Sequence, residues 1–231
     1  MPFYYGFDWT YIVYVLPALL FALWAQYNVQ STFKKFSRVA SERGMTGYDA
    51  ARLILDRNGL RDVRIEMVAG NLTDHYDPKT NVIRLSESVH SVSSIAAVGV
   101  AAHEAGHAVQ HAVGYFPIKL RTAIIPITNI GSNLAFPLVL LGLLFSAPML
   151  AGIGVILFGA AVLFQLVTLP VEFNASSRAI EALEMSGLSD DAVRDSKKVL
   201  TAAALTYVAA LATAIGNFLR LLAIANRSRR N

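Results

Sequence analysis

The 231-residue chain has no cysteine. That excludes disulfides and thiolate metal sites, so a metal here has to be held by nitrogen and oxygen. Histidine is scarce too, with five in all. That is a poor supply for a di-iron oxidase acting on lipid, which needs many histidines and carboxylates. No internal repeat and no low-complexity tract is evident. Net charge is only +4, and the few C-terminal arginines are too small a group to argue for nucleic acid. Arg220, Arg227, Arg229 and Arg230 read instead as contacts for anionic lipid head groups.

What is abundant is apolar sequence. Hydrophobic residues make up 55% of the chain, above the roughly 45–50% of globular proteins. Long apolar runs point to an integral membrane protein. The first, from Trp9 to about Asn28, is long enough to cross a bilayer, with Trp9, Tyr11, Trp24 and Tyr27 near its ends. No Lys or Arg precedes it and no cleavage site follows, so it reads as an uncleaved span with Pro17 as a kink. Lys34, Lys35, Arg38 and Arg43 come next, whereas only Asp8 precedes the run; the positive-inside rule then places residue 31 onward in the cytoplasm.

Residues 46–58 read as an amphipathic helix with Ala50, Leu53 and Ile54 on one face and Gly59 as its stop. Residues 63–68 and 81–85 read as short strands, and 71–80 as a turn. An exposed edge of such a sheet can take up an extended peptide. A helix capped by Ser91 or Ser93 runs to about Val113 and stops at Gly114. Apolar regions at Leu134–Phe145 and Met149–Leu169 flank the break Ser146-Ala147-Pro148 and form a hairpin, with Gly142, Gly152, Gly154 and Gly159 permitting close packing. The run 199–219 is long enough for a fourth span, but the arginines after it then break the positive-inside rule; a buried or surface helix is the other reading.

The chemistry centres on His103-Glu104-Ala105-Gly106-His107. Helix positions four apart share a face, so both imidazoles can aim at one Zn²⁺ while Glu104 reaches its water as general base. The bland alternative is a buried helix with two hydrogen-bonded histidines. A charged Glu in so apolar a helix is costly unless something compensates it, as a metal does. A catalytic zinc takes three protein ligands, and the hairpin returns the chain to the face it left. Pro170 suits the first turn of a helix, and Glu172 then emerges beside the histidines as the third ligand. His111 extends the same row, but it lies about 12 Å along the helix from His103 and reads as a supporting or structural residue. His75 reads as a surface turn histidine. His90 is left without a role.

Both motifs resemble the YugP-like family of bacterial membrane zinc metallopeptidases. The resemblance covers nearly the whole length and rests on TGYDAARLIL, LTDHYDPKTNVIRLSE, VGVAAHEAGHAVQH and LPVEFNASSRAIEAL. The chain is more distantly similar to the HtpX-like gluzincins, where a hydrophobic hairpin separates H-E-x-x-H from a Glu ligand within E-F-x-A-D. That resemblance implies His103, His107 and Glu172 as ligands of one Zn²⁺ per chain, and Glu104 as the base. Ser176 stands where those relatives have an Asp beside the metal site, so the Asp's role passes to Asn174 or Ser176 or is absent.

The expectation is a mainly α integral membrane protein: a zincin-like catalytic part, with H-E-x-x-H helix and small β-sheet, and three to four transmembrane helices. Its segments are 1–30 (first span), 31–121 (catalytic part), 122–169 (hairpin), 170–198 (Glu-ligand helix) and 199–231 (hydrophobic helix and basic tail). The expected activity is peptide-bond hydrolysis on membrane-associated protein substrates, in a multi-pass bacterial inner-membrane protein with its site on the cytoplasmic face. His75, Tyr76, Arg178 and Tyr207 are candidates to stabilise the oxyanion. The alternative is a scaffold or binding protein that keeps the zinc site with little activity, against which the intact Glu104 argues.

Overall fold

The structure is a computed structural model and describes residues 9–228. Asp8, Arg229 and Arg230, invoked above for topology and lipid contact, lie outside the described residues. Helix dominates. A π-helical turn at Tyr11–Val15 leads into α1, Leu16–Phe36. Pro17 has no N–H to offer the carbonyl four residues back, and the wider turn sits where that bond is missing. α2 (Gly47–Arg57) opens with a capping box in which Thr46 and Asp49 bond each other's backbone N–H groups. It buries Ala50, Ala51, Ile54 and Leu55.

Three strands follow: β1 Arg64–Val68, β2 His75–Asp77 and β3 Val82–Ser86. The sheet order is β1-β3-β2. β1 runs parallel to β3, and β2 antiparallel, pairing Tyr76 with Ile83. β2 falls inside the stretch read above as a turn. Its three polar residues carry no alternating apolar signal, so pairing with β3 alone defines it.

α3 (Ile95–Ala112) carries the H-E-x-x-H motif. Its N-cap is Ser94, whose hydroxyl accepts from the Ala97 N–H, rather than Ser91 or Ser93. Gly114 follows its end with a positive φ of 64°. α4 (Phe116–Leu144) and α5 (Pro148–Glu184) meet at Ser146, and α6 covers Asp190–Ser228. α5 passes unbroken through Pro170, so no new helix begins there. Pro170 removes one hydrogen bond from an otherwise continuous rod of 37 residues.

The chain divides into two compact units. One comprises Ala25–Lys119 and Leu169–Thr206. Its core joins Ile54 and Leu55 of α2, Ile83 and Leu85 of β3, the small-residue faces of α3, and Ala179 and Leu183 of α5. The other is formed by the described parts of Met1–Trp24, Leu120–Thr168 and Tyr207–Asn231. Within it Val139, Ala151, Val155, Leu221 and Ala225 cluster. A side chain at Gly142 would run into Ala151, and one at Gly154 would come within 2.6 Å of the Ala135 carbonyl oxygen, so the hairpin closes on hydrogen atoms at both. Leu20, Leu23, Ile127, Phe136 and Ile156 of this unit are exposed. Among the described residues, four helices are long and apolar enough to cross a membrane: Tyr11–Phe36, Phe116–Leu144, Pro148–Glu184 and Asp190–Asn226.

Candidate metal centre

α3 and α5 bring His103, His107 and Glu172 together, with one ligand atom from each within 4.8 Å of the others. The contact is possible because residue 106 is glycine. A Cβ there would stand 2.6 Å from the carbonyl oxygen of Ala175. α5 therefore lies close enough for Glu172, one turn earlier, to reach both histidines.

Glu172 Oε2 is 3.3 Å from His103 Nε2 and 3.4 Å from His107 Nε2. Ligand atoms about 2.0–2.1 Å from a tetrahedral Zn²⁺ stand roughly 3.4 Å from one another. The spacing is that of a ligand triangle, and the donors are nitrogen and oxygen as the lack of cysteine requires. The two imidazoles stand nearly perpendicular, at 83°.

Each histidine has its other ring nitrogen engaged. His103 Nδ1 bonds Ser176 Oγ at 3.1 Å, and His107 Nδ1 bonds Gln110 Oε1 at 3.0 Å. An imidazole that donates from Nδ1 presents a bare Nε2, the form a metal binds. Ser176, at the position of the Asp in the HtpX-like pattern, is the residue that meets His103 Nδ1. Gln110 is fully buried, and its amide donates to the Val171 carbonyl at 2.8 Å and to Asn174 Oδ1 at 3.0 Å. Asn174 also accepts from Arg178 Nε at 2.9 Å. Asn174 Oδ1 thus joins Gln110 and Arg178 in one hydrogen-bonded chain.

Glu104 is buried, and among the described residues no protein group hydrogen-bonds its carboxylate. Burial works against a charge on His107, yet the Glu172 hydrogen bond and the charges of Glu104 and Glu172 outweigh it and hold the imidazole's pKa above its ordinary value.

Beside α3 lies β2. Just before it, Asp74 accepts from the Ser86 N–H at 2.7 Å and the Ser86 hydroxyl at 3.1 Å. Burial raises the Asp74 pKa, and the charge of Glu104 adds to the rise. His75 is exposed, with Nδ1 bonded to the Thr73 carbonyl at 2.9 Å. The Tyr76 hydroxyl donates to Asn81 at 2.9 Å, and its ring meets that of His111 at 5.5 Å. Tyr207 belongs to the other unit. His90 bonds Ser91 and packs against Tyr48, apart from the triad. The sequence reading missed Gln110 as a partner of His107; its position three residues on, on the same helix, was the available signal.

A H-E-x-x-H helix facing a later helix that supplies a glutamate defines the gluzincin type of zinc centre. Residues 11–226 match the family described as "putative neutral zinc metallopeptidase", and the chain belongs to that family. It is 49% identical over 215 residues to "Putative membrane protease YugP" of Bacillus subtilis (strain 168), covering 93% of this chain and 96% of that one. No solved structure matches it significantly.

Proposed function

We propose that the chain is a membrane zinc endopeptidase with one zinc held by His103, His107 and Glu172. The observation that carries this is the convergence of Glu172 Oε2 on both Nε2 atoms at 3.3 and 3.4 Å, next to an unpaired buried Glu104. The relative's description as a membrane protease supports the substrate class. Bound there, zinc supplies an acidified water and a polarised scissile carbonyl. Glu104 takes the water's proton and later delivers it to the leaving amine. Ser176 and Gln110 fix the imidazole tautomers throughout.

The substrate lies along β2. That strand is one edge of the sheet, the one beside the metal helix, and no strand pairs its outer side among the described residues. An extended peptide can add there by main-chain hydrogen bonds and bring a carbonyl to the site. Arg178 and His75 are the candidates for the oxyanion, since the Tyr76 hydroxyl is already committed to Asn81. The site faces the cytoplasm of an inner-membrane protein, on the side of Lys34 and Lys35 at the end of α1. Substrates are therefore membrane-associated proteins or unfolded segments near the bilayer.

The test is Glu104→Gln in the purified full-length protein. Zinc content should stay near one per chain while hydrolysis of an unfolded protein falls by about a thousandfold or more. Full proteolysis in that variant would overturn the mechanism.

A further inference from the structure

The last turns of α1 and the first turns of α6 enclose a groove of about 480 Å³. Lys35, Arg194, Lys197 and Lys198 line one part of it, and Ala202 and Leu205 another. Both helices change character here. α1 carries no charged residue from Leu16 to Phe33 and then two lysines; α6 is charged up to Lys198 and then uncharged until Arg220. The groove spans both transitions, so it is cationic on the charged side and apolar on the other.

The cations are not fully neutralised. Asp191 pairs with Arg194 and Asp195 with Lys198, each at 2.7 Å. Lys35 and Lys197 have no carboxylate partner among the described residues. The Lys35 and Lys198 ammonium groups both sit over the buried Phe36 ring, 5.2 and 5.8 Å from its centre. The ring anchors two like charges in one place. Thr32 and Thr201 also line the groove, and among the described residues neither hydroxyl hydrogen-bonds a protein group.

We infer that this groove binds one anionic phospholipid. The phosphate takes the excess positive charge and the spare hydroxyls, and the acyl chains follow Ala202 and Leu205 along the apolar helices. An acidic peptide or free phosphate would satisfy the cations but not the apolar half. The inference rests on the membrane setting but not on the peptidase reading, since none of these residues is a metal ligand.

The test uses full-length protein in neutral detergent, titrated with phosphatidylglycerol or phosphatidylcholine and read by native mass spectrometry. One phosphatidylglycerol should be retained in preference to phosphatidylcholine, with inorganic phosphate failing to displace it. K35Q/K197Q should weaken retention roughly tenfold or more, K35R/K197R should keep it, and R57Q/R61Q, with the same loss of charge, should not change it. Equal retention of the two lipids, displacement by phosphate, or equal weakening in R57Q/R61Q overturns the site. A chain that stays soluble without detergent overturns the membrane setting itself, which is a separate failure.

Discussion

Gly106 and Ala175 touch where no side chain fits: a Cβ on residue 106 would stand 2.6 Å from the Ala175 carbonyl oxygen. This contact sets the separation of the helix bearing the histidines from the helix bearing Glu172.

Gly106→Ala should therefore reverse the usual sign of a helical Gly→Ala change. In open space such a change stabilises by about 0.4–1 kcal/mol. Here it should destabilise by about 1–3 kcal/mol, because backbone has to move. Zinc retained after dialysis and the thermal midpoint should both fall; an unchanged zinc content would show that the helices can part without cost to the site.

Glu172→Ala removes the atom that both imidazoles face. Elemental analysis beside wild type should give about one zinc per chain falling to a small fraction. Full occupancy in the variant would assign the third ligand elsewhere.

Gln110→Ala should weaken zinc binding about 10–100-fold although the residue touches no metal, since it fixes the His107 tautomer. It also leaves the Val171 carbonyl and Asn174 short of a donor, so stability should drop as well. Ser176→Ala acts on His103 alone and should cost about tenfold in zinc affinity, while Ser176→Asp should restore it. Competition with a coloured chelator measures all three.

Asp77 should titrate low. The Thr80 hydroxyl, the Lys79 N–H and Arg84 hold its pKa at about 2. A carboxylate whose folded pKa is depressed contributes stability above its unfolded pKa of about 3.9, lost as pH falls through the folded value. The turn between β2 and β3 should thus weaken between about pH 4 and pH 2 and be insensitive above that. A carbon NMR titration of the Asp77 carboxyl checks it; a midpoint near 4 would mean the turn does not hold these bonds in solution.

The parts legible in the sequence were those with a strong period or a rigid spacing. The motif helix, its stop at Gly114, α2, β1 and β3 all announce themselves. The proximity of Glu172 to the histidines followed from the apolar hairpin between them, and the structure brings the three together. What stayed hidden depends on partners distant in sequence. β2 exists because β3 pairs with it. Gln110 looks like any polar helical residue until Val171 and Asn174 arrive. Pro170 marks a helix start by local rules, but α5 runs through it and gives up only the hydrogen bond that its missing N–H cannot make.

The order of the ligands along the chain also governs when the centre can exist. His103 and His107 leave the ribosome well before Glu172, with the whole of α4 and the apolar part of α5 between them. Two histidines alone hold zinc weakly, and the third ligand arrives only when the hairpin has folded back. If these three residues hold the metal as proposed, a newly made chain lacks a complete centre until its own biogenesis is nearly finished.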